Sequence, residues 1–149
     1  MKQTAWGLVM ATGKSEQLSA ESETAFLYLN DRPVLAYSLA AFMQCPDISG
    51  IVVVVSRERA ESVLGMVQMF GFSKVRKIVV GGARRAASMA AGLEHLGDDV
   101  EWVCVHDASR PMVGAALISE TVKTARRHGP GVAALELPDP AVAAPKGVC

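Results

Sequence analysis

The sequence predicts a doubly wound α/β domain built on a mostly parallel sheet. Three observations carry this expectation. Short apolar runs recur along the chain, and the clearest of them is Ile51 followed by the four valines 52–55, β-branched throughout. Such a run buries both faces, as strands of parallel sheets do. The runs alternate with segments of helical spacing and length, the pattern of βαβ units with right-handed crossovers. Finally, half of the 149 residues are hydrophobic. A single domain of this size buries about 68–70% of its unfolded surface and needs no disulfide or metal staple.

The elements follow in order. Residues 5–10 form a first strand, succeeded by Ala11, Thr12, Gly13, Lys14 and Ser15 and then by a polar stretch, 16–24, of neither period. Residues 26–29 are apolar but short, and Asn30-Asp31 signals a turn. Pro33 suits the first turn of a helix, and Val34, Leu35, Leu39 and Phe42 continue near helical spacing up to Cys45-Pro46. Residues 50–55 are the second strand, and residues 58–70 a helix closed by Gly71. Residues 77–80 are the third strand, ended by Gly81-Gly82. Residues 84–96, rich in Ala, Met and Leu, are a helix closed by Gly97. Residues 102–105 are the fourth strand. Residues 114–128 are a helix whose Lys123, Arg126, Arg127 and His128 complement the dipole at its C-terminal end. Residues 132–136 are read as a fifth strand. The proline-rich residues 137–149 are expected to be a loop or an arm that needs a partner, in a chain that stops short of its natural domain end. The expected division is therefore an α/β domain over 1–136 and a tail over 137–149.

Bulk properties exclude several function classes. Lys+Arg and Asp+Glu balance at 15 each, which gives no electrostatic case for nucleic acid or an acidic membrane. Cys45, Cys104 and Cys149 are scattered and form neither a disulfide framework nor a CxxC metal site. No apolar run reaches membrane-spanning length and no secretory leader is visible, so a soluble cytoplasmic protein is expected.

Open α/β sheets place ligand chemistry at the carboxyl ends of their strands. Three such exits carry suggestive residues. The first, residues 11–15, invites a P-loop reading through Gly13-Lys14-Ser15. That motif needs a glycine five positions before Gly13, where Leu8 stands, and a following helix, which the polar stretch does not supply. The second is Gly81-Gly82 before Arg84 and Arg85. Two glycines let a backbone approach a ligand, free N–H groups at a helix start favour an anion, and Arg85 offers a phosphate-matching fork. Ser88, one turn in, is placed to reach a sugar hydroxyl. The third exit is His106, Asp107, Ala108, Ser109 and Arg110. Asp107 is a hard-oxygen ligand suited to Mg²⁺, which typically uses one or two carboxylates plus substrate phosphates. Arg110 orients it, and His106 is read as structural. The plainer alternative makes Asp107 a turn cap paired with Arg110 on the surface. Together the exits point to a nucleotide with its metal.

Gly81-Gly82-Ala83-Arg84-Arg85-Ala86-Ala87-Ser88, then Ala91-Gly92-Leu93, then Val105-His106-Asp107-Ala108-Ser109-Arg110-Pro111 resemble two motifs of one family. These are Gly-Gly-x-x-Arg-x-x-Ser-x-x-x-Gly-Leu and His-Asp-Ala-Ala-Arg-Pro, in the same order and spacing, of the methylerythritol-phosphate cytidylyltransferases of non-mevalonate isoprenoid synthesis. The resemblance runs from about residue 6 through residue 139. It implies a Rossmann-like nucleotidyltransferase domain, CTP with Mg²⁺, and attack of a sugar-alcohol phosphate on the α-phosphate with release of pyrophosphate. Residue matching sets Ala11, Thr12 and Gly13 against the nucleotide, with Lys14 and Arg85 also binding it. Gly82, Ala83, Ser88 and Ala108 would form the base and ribose pocket. Asp107 would hold Mg²⁺, with Arg110 and Asp139 in support. A homodimer, formed by exchange of the arm after the fifth strand, is also implied.

The chain departs from the family's pattern at its reacting groups. Where the family reads Ala-Ala-Gly-x-Gly-x-Arg, the second glycine is Ser15 and the arginine position falls on Gln17. The family's Pro-Lys-Gln falls on Glu23-Thr24-Ala25, and of its Asp-Thr-x-Lys only Asp139 remains. A donor to transition-state charge is worth about 10²–10³ in rate, so losing both cations costs on the order of 10⁴–10⁶ if the effects add. The expectation is a cytidylyltransferase-like protein, impaired or inactive in turnover, whose nucleotide platform is better kept than its catalytic groups. The alternatives are a homologue that binds only a nucleotide or a partner, and, less favoured, a P-loop NTPase.

Overall fold

The structure is a computed structural model and describes residues 4–13 and 23–134. Its strands are Ala5–Ala11 (β1), Tyr28–Leu29 (β2), Arg32–Pro33 (β3), Ile48–Val55 (β4), Val75–Val80 (β5) and Trp102–Asp107 (β6). Its α-helices are Val34–Gln44 (α1), Ala60–Phe70 (α2), Arg85–Leu93 (α3) and Ala115–His128 (α4). The four long strands form one sheet in the order β5-β4-β1-β6, parallel throughout. The doubly wound α/β fold is therefore as the sequence predicts.

From Ile51 onward in β4, and along β1, residues alternate between two cores. Ala5, Val9 and Ala11 join Ile51, Val53 and Val55 on one face, where α1, α2 and α4 cover them. Leu8 and Met10 join Val52 and Val54 on the other, beneath Met89 and Ala91 of α3. All of these strand residues are at most 2% exposed. A strand buried on both faces explains why the valine run shows no apolar–polar alternation.

Local rules set the element ends. Asn30, with φ of 62°, turns the chain between β2 and β3, as the Asn-Asp signal implies. Gly71, with φ of 65°, caps α2, and the Phe72 amide donates back to the Val67 carbonyl at 3.0 Å. The helix expected from residue 58 starts as a 3-10 turn, Arg57–Arg59, before α2 proper. The helix expected over 84–96 is shorter, Arg85–Leu93. The reason is local: the amides of His95 and Leu96 donate three residues back, to Gly92 and Leu93, and tighten the last turn before Gly97. The fourth strand runs two residues further than expected, so His106 and Asp107 belong to β6 itself. No strand forms over residues 132–134 of the expected fifth strand, and Val132 is 84% exposed. Residues 135–136 and the tail lie outside the described residues.

Two polar ties fix the helices to the sheet. Asp47 accepts hydrogen bonds from Ser119 and from Arg126 Nη1, the latter at 3.0 Å, and so joins the turn before β4 to α4. Ser38 of α1 lies 3.1 Å from His106 Nε2, and both groups donate to the Arg110 carbonyl, at 3.3 and 3.2 Å. His106 also packs its ring against Phe42 at 5.5 Å, which agrees with its structural reading.

Two stability predictions follow from this packing. Gly92 sits on the sheet so closely that a Cβ there would lie 2.5 Å from Leu8 Cδ1 and 2.8 Å from Val54 Cγ2. Overpacking of this kind costs about 1–3 kcal/mol, against a helix-propensity gain of about 1 kcal/mol. Gly92→Ala should therefore leave stability unchanged or lower it. Gly65 in α2 faces open space, so Gly65→Ala should raise it by about 0.5–1 kcal/mol; denaturant melts check the pair. The second prediction concerns pH. Burial pushes the His106 imidazole below its ordinary 6.5, although the Arg110 carbonyl and the Asp107 charge oppose the shift. The unfolded chain then takes up the proton first. The contribution of neutral His106 is fully present above pH 6.5 and is lost as pH falls below it. Unfolding midpoints measured against pH should show this loss in the wild type and less of it in His106→Gln.

Candidate functional site at the carboxyl ends of the strands

From β1 the chain crosses to β4 and then β5 on one side, and returns to β6 on the other. The sheet therefore reverses direction between β1 and β6, and open sheets of this kind bind ligands outside that point. Asp107 is in register with Met10 of β1, and the Ala108 amide extends the ladder by donating to the Met10 carbonyl at 2.9 Å. The backbone thus delivers Asp107 to the switch point beside Ala11, Thr12 and Gly13.

Asp107 caps its own turn. Its Oδ1 accepts from the Ser109 amide at 3.0 Å and the Ser109 hydroxyl at 2.8 Å, which is a turn cap. Among the described residues Oδ2 has no hydrogen-bond partner, and no ion pair joins Asp107 to Arg110. Burial pushes the carboxyl upward, but the two Ser109 bonds and the charges of Arg85 and Arg110 outweigh it. The group is held below the ordinary 3.8. Asp107 is thus a pre-oriented carboxylate with one oxygen spent on its own loop and the other available.

The Gly81-Gly82 loop is tightly packed. Its glycines serve the packing of the loop itself. A Cβ at Gly81 would lie 2.5 Å from Ser88 Oγ and 2.9 Å from Thr12 Cγ2, and one at Gly82 would lie 2.7 Å from the Ala87 methyl. Ser88 is 1% exposed and donates to the Gly82 carbonyl at 3.2 Å, so its hydroxyl shapes the loop. Ala108 is likewise fully buried, in the core beneath the sheet end. Arg85, Gly82 and Ala83 remain exposed, with Arg85 opening α3.

The expected adjacency of the three exits also changes. β4 stands between β5 and β1, so a fourth exit, Ser56 to Arg59, lies between the two glycine-bearing loops. A cleft of about 920 Å³ opens there, lined by Thr12, Ser56, Arg57, Glu58, Gly82 and Ala83. Glu23 also lines it; it is 8% exposed and accepts from Arg59 Nε at 2.8 Å. Sequence reasoning missed this exit although β4 was the clearest strand, because the strand-end rule was applied to the other three. Thr24 opens a 3-10 turn, Thr24–Phe26, next to Glu23. Lys14, Gln17 and Asp139 lie outside the described residues.

The chemistry of these groups fits Mg²⁺. No cluster of three His, Cys, Asp or Glu side chains able to hold a metal occurs among the described residues. A lone, ionised, pre-oriented carboxylate such as Asp107 suits an ion that completes its shell with phosphate oxygens and water. No helix among the described residues is long and apolar enough to cross a membrane.

Comparison with known proteins agrees with this geometry. The family model described as IspD: 2-C-methyl-D-erythritol 4-phosphate cytidylyltransferase matches residues 6–147. The chain is 38% identical over 134 residues to the 2-C-methyl-D-erythritol 4-phosphate cytidylyltransferase of Desulforamulus reducens, covering 89% of this chain and 57% of that protein. It is 36% identical over 132 residues to the enzyme of the same name from Dehalococcoides mccartyi, with the same coverage of 89% and 57%. The chain thus spans little more than half the length of these relatives. A crystal structure of 4-diphosphocytidyl-2C-methyl-D-erythritol synthase superposes with a TM-score of 0.73 at 23% identity, over 99% of this chain and 66% of that one. The fold is the Rossmann-like nucleotidyltransferase fold, and the P-loop alternative is set aside. The chain belongs to the 2-C-methyl-D-erythritol 4-phosphate cytidylyltransferase family.

Proposed function

We propose that this chain carries the nucleotide platform of a cytidylyltransferase, binding CTP with Mg²⁺, and that transfer of CMP to a sugar-alcohol phosphate is strongly reduced in it. The observation that carries the reading is Asp107, held ionised at the sheet's switch point with Arg85 and Arg110 in electrostatic reach. Asp107 Oδ2 would hold the metal, which when bound supplies charge neutralisation to the phosphates. Ser109 keeps the carboxylate in one orientation and Arg85 adds a permanent positive charge on the same side. The exposed start of α3 is suited to anionic oxygens, through its N–H groups and its dipole. The reduction in turnover rests on Gln17 and Thr24, which stand where the family has arginine and lysine. On the same reading the assembly is a cytoplasmic homodimer.

Calorimetric titration with CTP and Mg²⁺ should give saturable binding. If wild-type protein ignores millimolar CTP, the second reading, a partner-binding homologue, takes its place. Pyrophosphate release with CTP and methylerythritol phosphate should be slow, and Gln17→Arg with Thr24→Lys should raise it by at least tenfold. Rapid release by the wild type would show that these two positions do not limit transfer. Asp107→Asn should remove the Mg²⁺ dependence of CTP binding; an unchanged dependence would leave Asp107 as a turn cap alone.

A further inference from the structure

The turn that carries Asp107 is anchored at both ends, by different parts of the fold. At its entry the Ala108 amide donates to the Met10 carbonyl of β1 at 2.9 Å, and the Arg110 amide closes the turn onto the Asp107 carbonyl at 3.1 Å. At its exit stands the Arg110 carbonyl, followed by Pro111, which has no N–H to offer. Among the described residues that carbonyl accepts from two side chains, Ser38 Oγ at 3.3 Å and His106 Nε2 at 3.2 Å. A carbonyl oxygen has two lone pairs, so this pair of donors satisfies it. Ser38 and Phe42 stand one turn apart on α1, share a face, and both meet His106, the hydroxyl at 3.1 Å from Nε2 and the ring at 5.5 Å. Ser38 is fully buried, as are Leu35, Leu39 and Phe42 of the same helix, so its hydroxyl reaches the turn as part of the core. The helix itself has no use for that hydroxyl. Serine forms helices less well than alanine, and a buried hydroxyl is costly unless it is bonded.

We infer that Ser38, acting with His106, is a positioning residue for the Asp107 carboxylate: the clasp on the Arg110 carbonyl holds the turn in the form that presents Oδ2 to a metal. This rests on the reading of Asp107 as the Mg²⁺ ligand. Asp107 Oδ1 is fixed by the amide and hydroxyl of Ser109, so the carboxylate is only as well placed as Ser109 is. Ser109 lies between two anchors, Ala108 on β1 and Arg110 on α1 and β6. Without the second anchor the turn is attached to the sheet at its entry alone, and Ser109 and the carboxylate it holds lose their fixed place. Partners that orient a ligand without touching the metal are worth about 10–100-fold in metal affinity. Ser38 and Arg110 lie 72 residues apart in the chain, so no motif spacing reveals the contact.

The test compares Ser38→Ala, Ser38→Thr and Ser119→Ala with the wild type, on the full chain. Ser119 is the control, because its hydroxyl ties α4 to Asp47 at the amino end of the sheet, away from the turn. Both alanine variants should lower the unfolding midpoint, since each removes a side-chain hydrogen bond that ties a helix to the sheet. Calorimetric titration of CTP at a series of Mg²⁺ concentrations gives the apparent Mg²⁺ dissociation constant. Ser38→Ala should raise that constant about tenfold or more. Ser38→Thr, which keeps the hydroxyl, should return it close to the wild-type value, and Ser119→Ala should leave it unchanged. In the ligand-free chain, hydrogen exchange at the Ser109 and Arg110 amides should quicken in Ser38→Ala and not in Ser119→Ala. If Ser38→Ala keeps the wild-type Mg²⁺ dependence, or Ser119→Ala weakens it as much, the clasp serves stability alone; the inference falls and the metal reading stands. If the wild type binds CTP without regard to Mg²⁺, the metal reading falls and the inference with it.

Discussion

The structure depends on β1 being paired along both edges. All seven of its residues pair in parallel with β4 and six of them, Ala5 to Met10, with β6, and both of its faces are buried. That double pairing satisfies the backbone groups of a strand that has no access to water, and in a low-dielectric interior no other arrangement would. It also fixes the site. Because Ala108 continues the ladder to Met10, Asp107 is placed by main-chain geometry and not by a flexible loop.

The polar groups of the site are held by short-range ties that share one logic. The exits of β4, β5 and β6 are each held by side-chain hydrogen bonds. Ser109 binds Asp107, Ser88 binds the Gly82 carbonyl, and Ser38 with His106 grips the Arg110 carbonyl. Arg59 and Glu23 tie the β4 exit to the segment entering β2. Serine side chains are short, so they order backbone at little entropic cost. Residues left over by these ties, Arg57, Glu58, Arg85 and the second oxygen of Asp107, are the ones with unspent bonding capacity toward a ligand.

The two motifs that carry the family likeness lie at the exits of β5 and β6. The motifs around Gly82 and Asp107 keep the family's order and spacing because they build the fold's own loops.

The order of helices and parallel strands, the burial of the valine run, the Asn30 turn and the Gly71 cap were all written in local composition and periodicity. So was Asp107, because a carboxylate at the end of an apolar run needs no tertiary information to stand out. What the sequence could not determine was which exits become neighbours. Strand order is set by non-local pairing, and it placed β4 between the two glycine-bearing loops, making the turn of Arg57 and Glu58 part of the cleft. Nor could it determine how the motif's small side chains are packed: α3 and β6 against the sheet direct the Ser88 hydroxyl to the Gly82 carbonyl and bury Ala108. Periodicity reports the face a residue lies on; only the packed neighbours decide where its hydrogen bond goes.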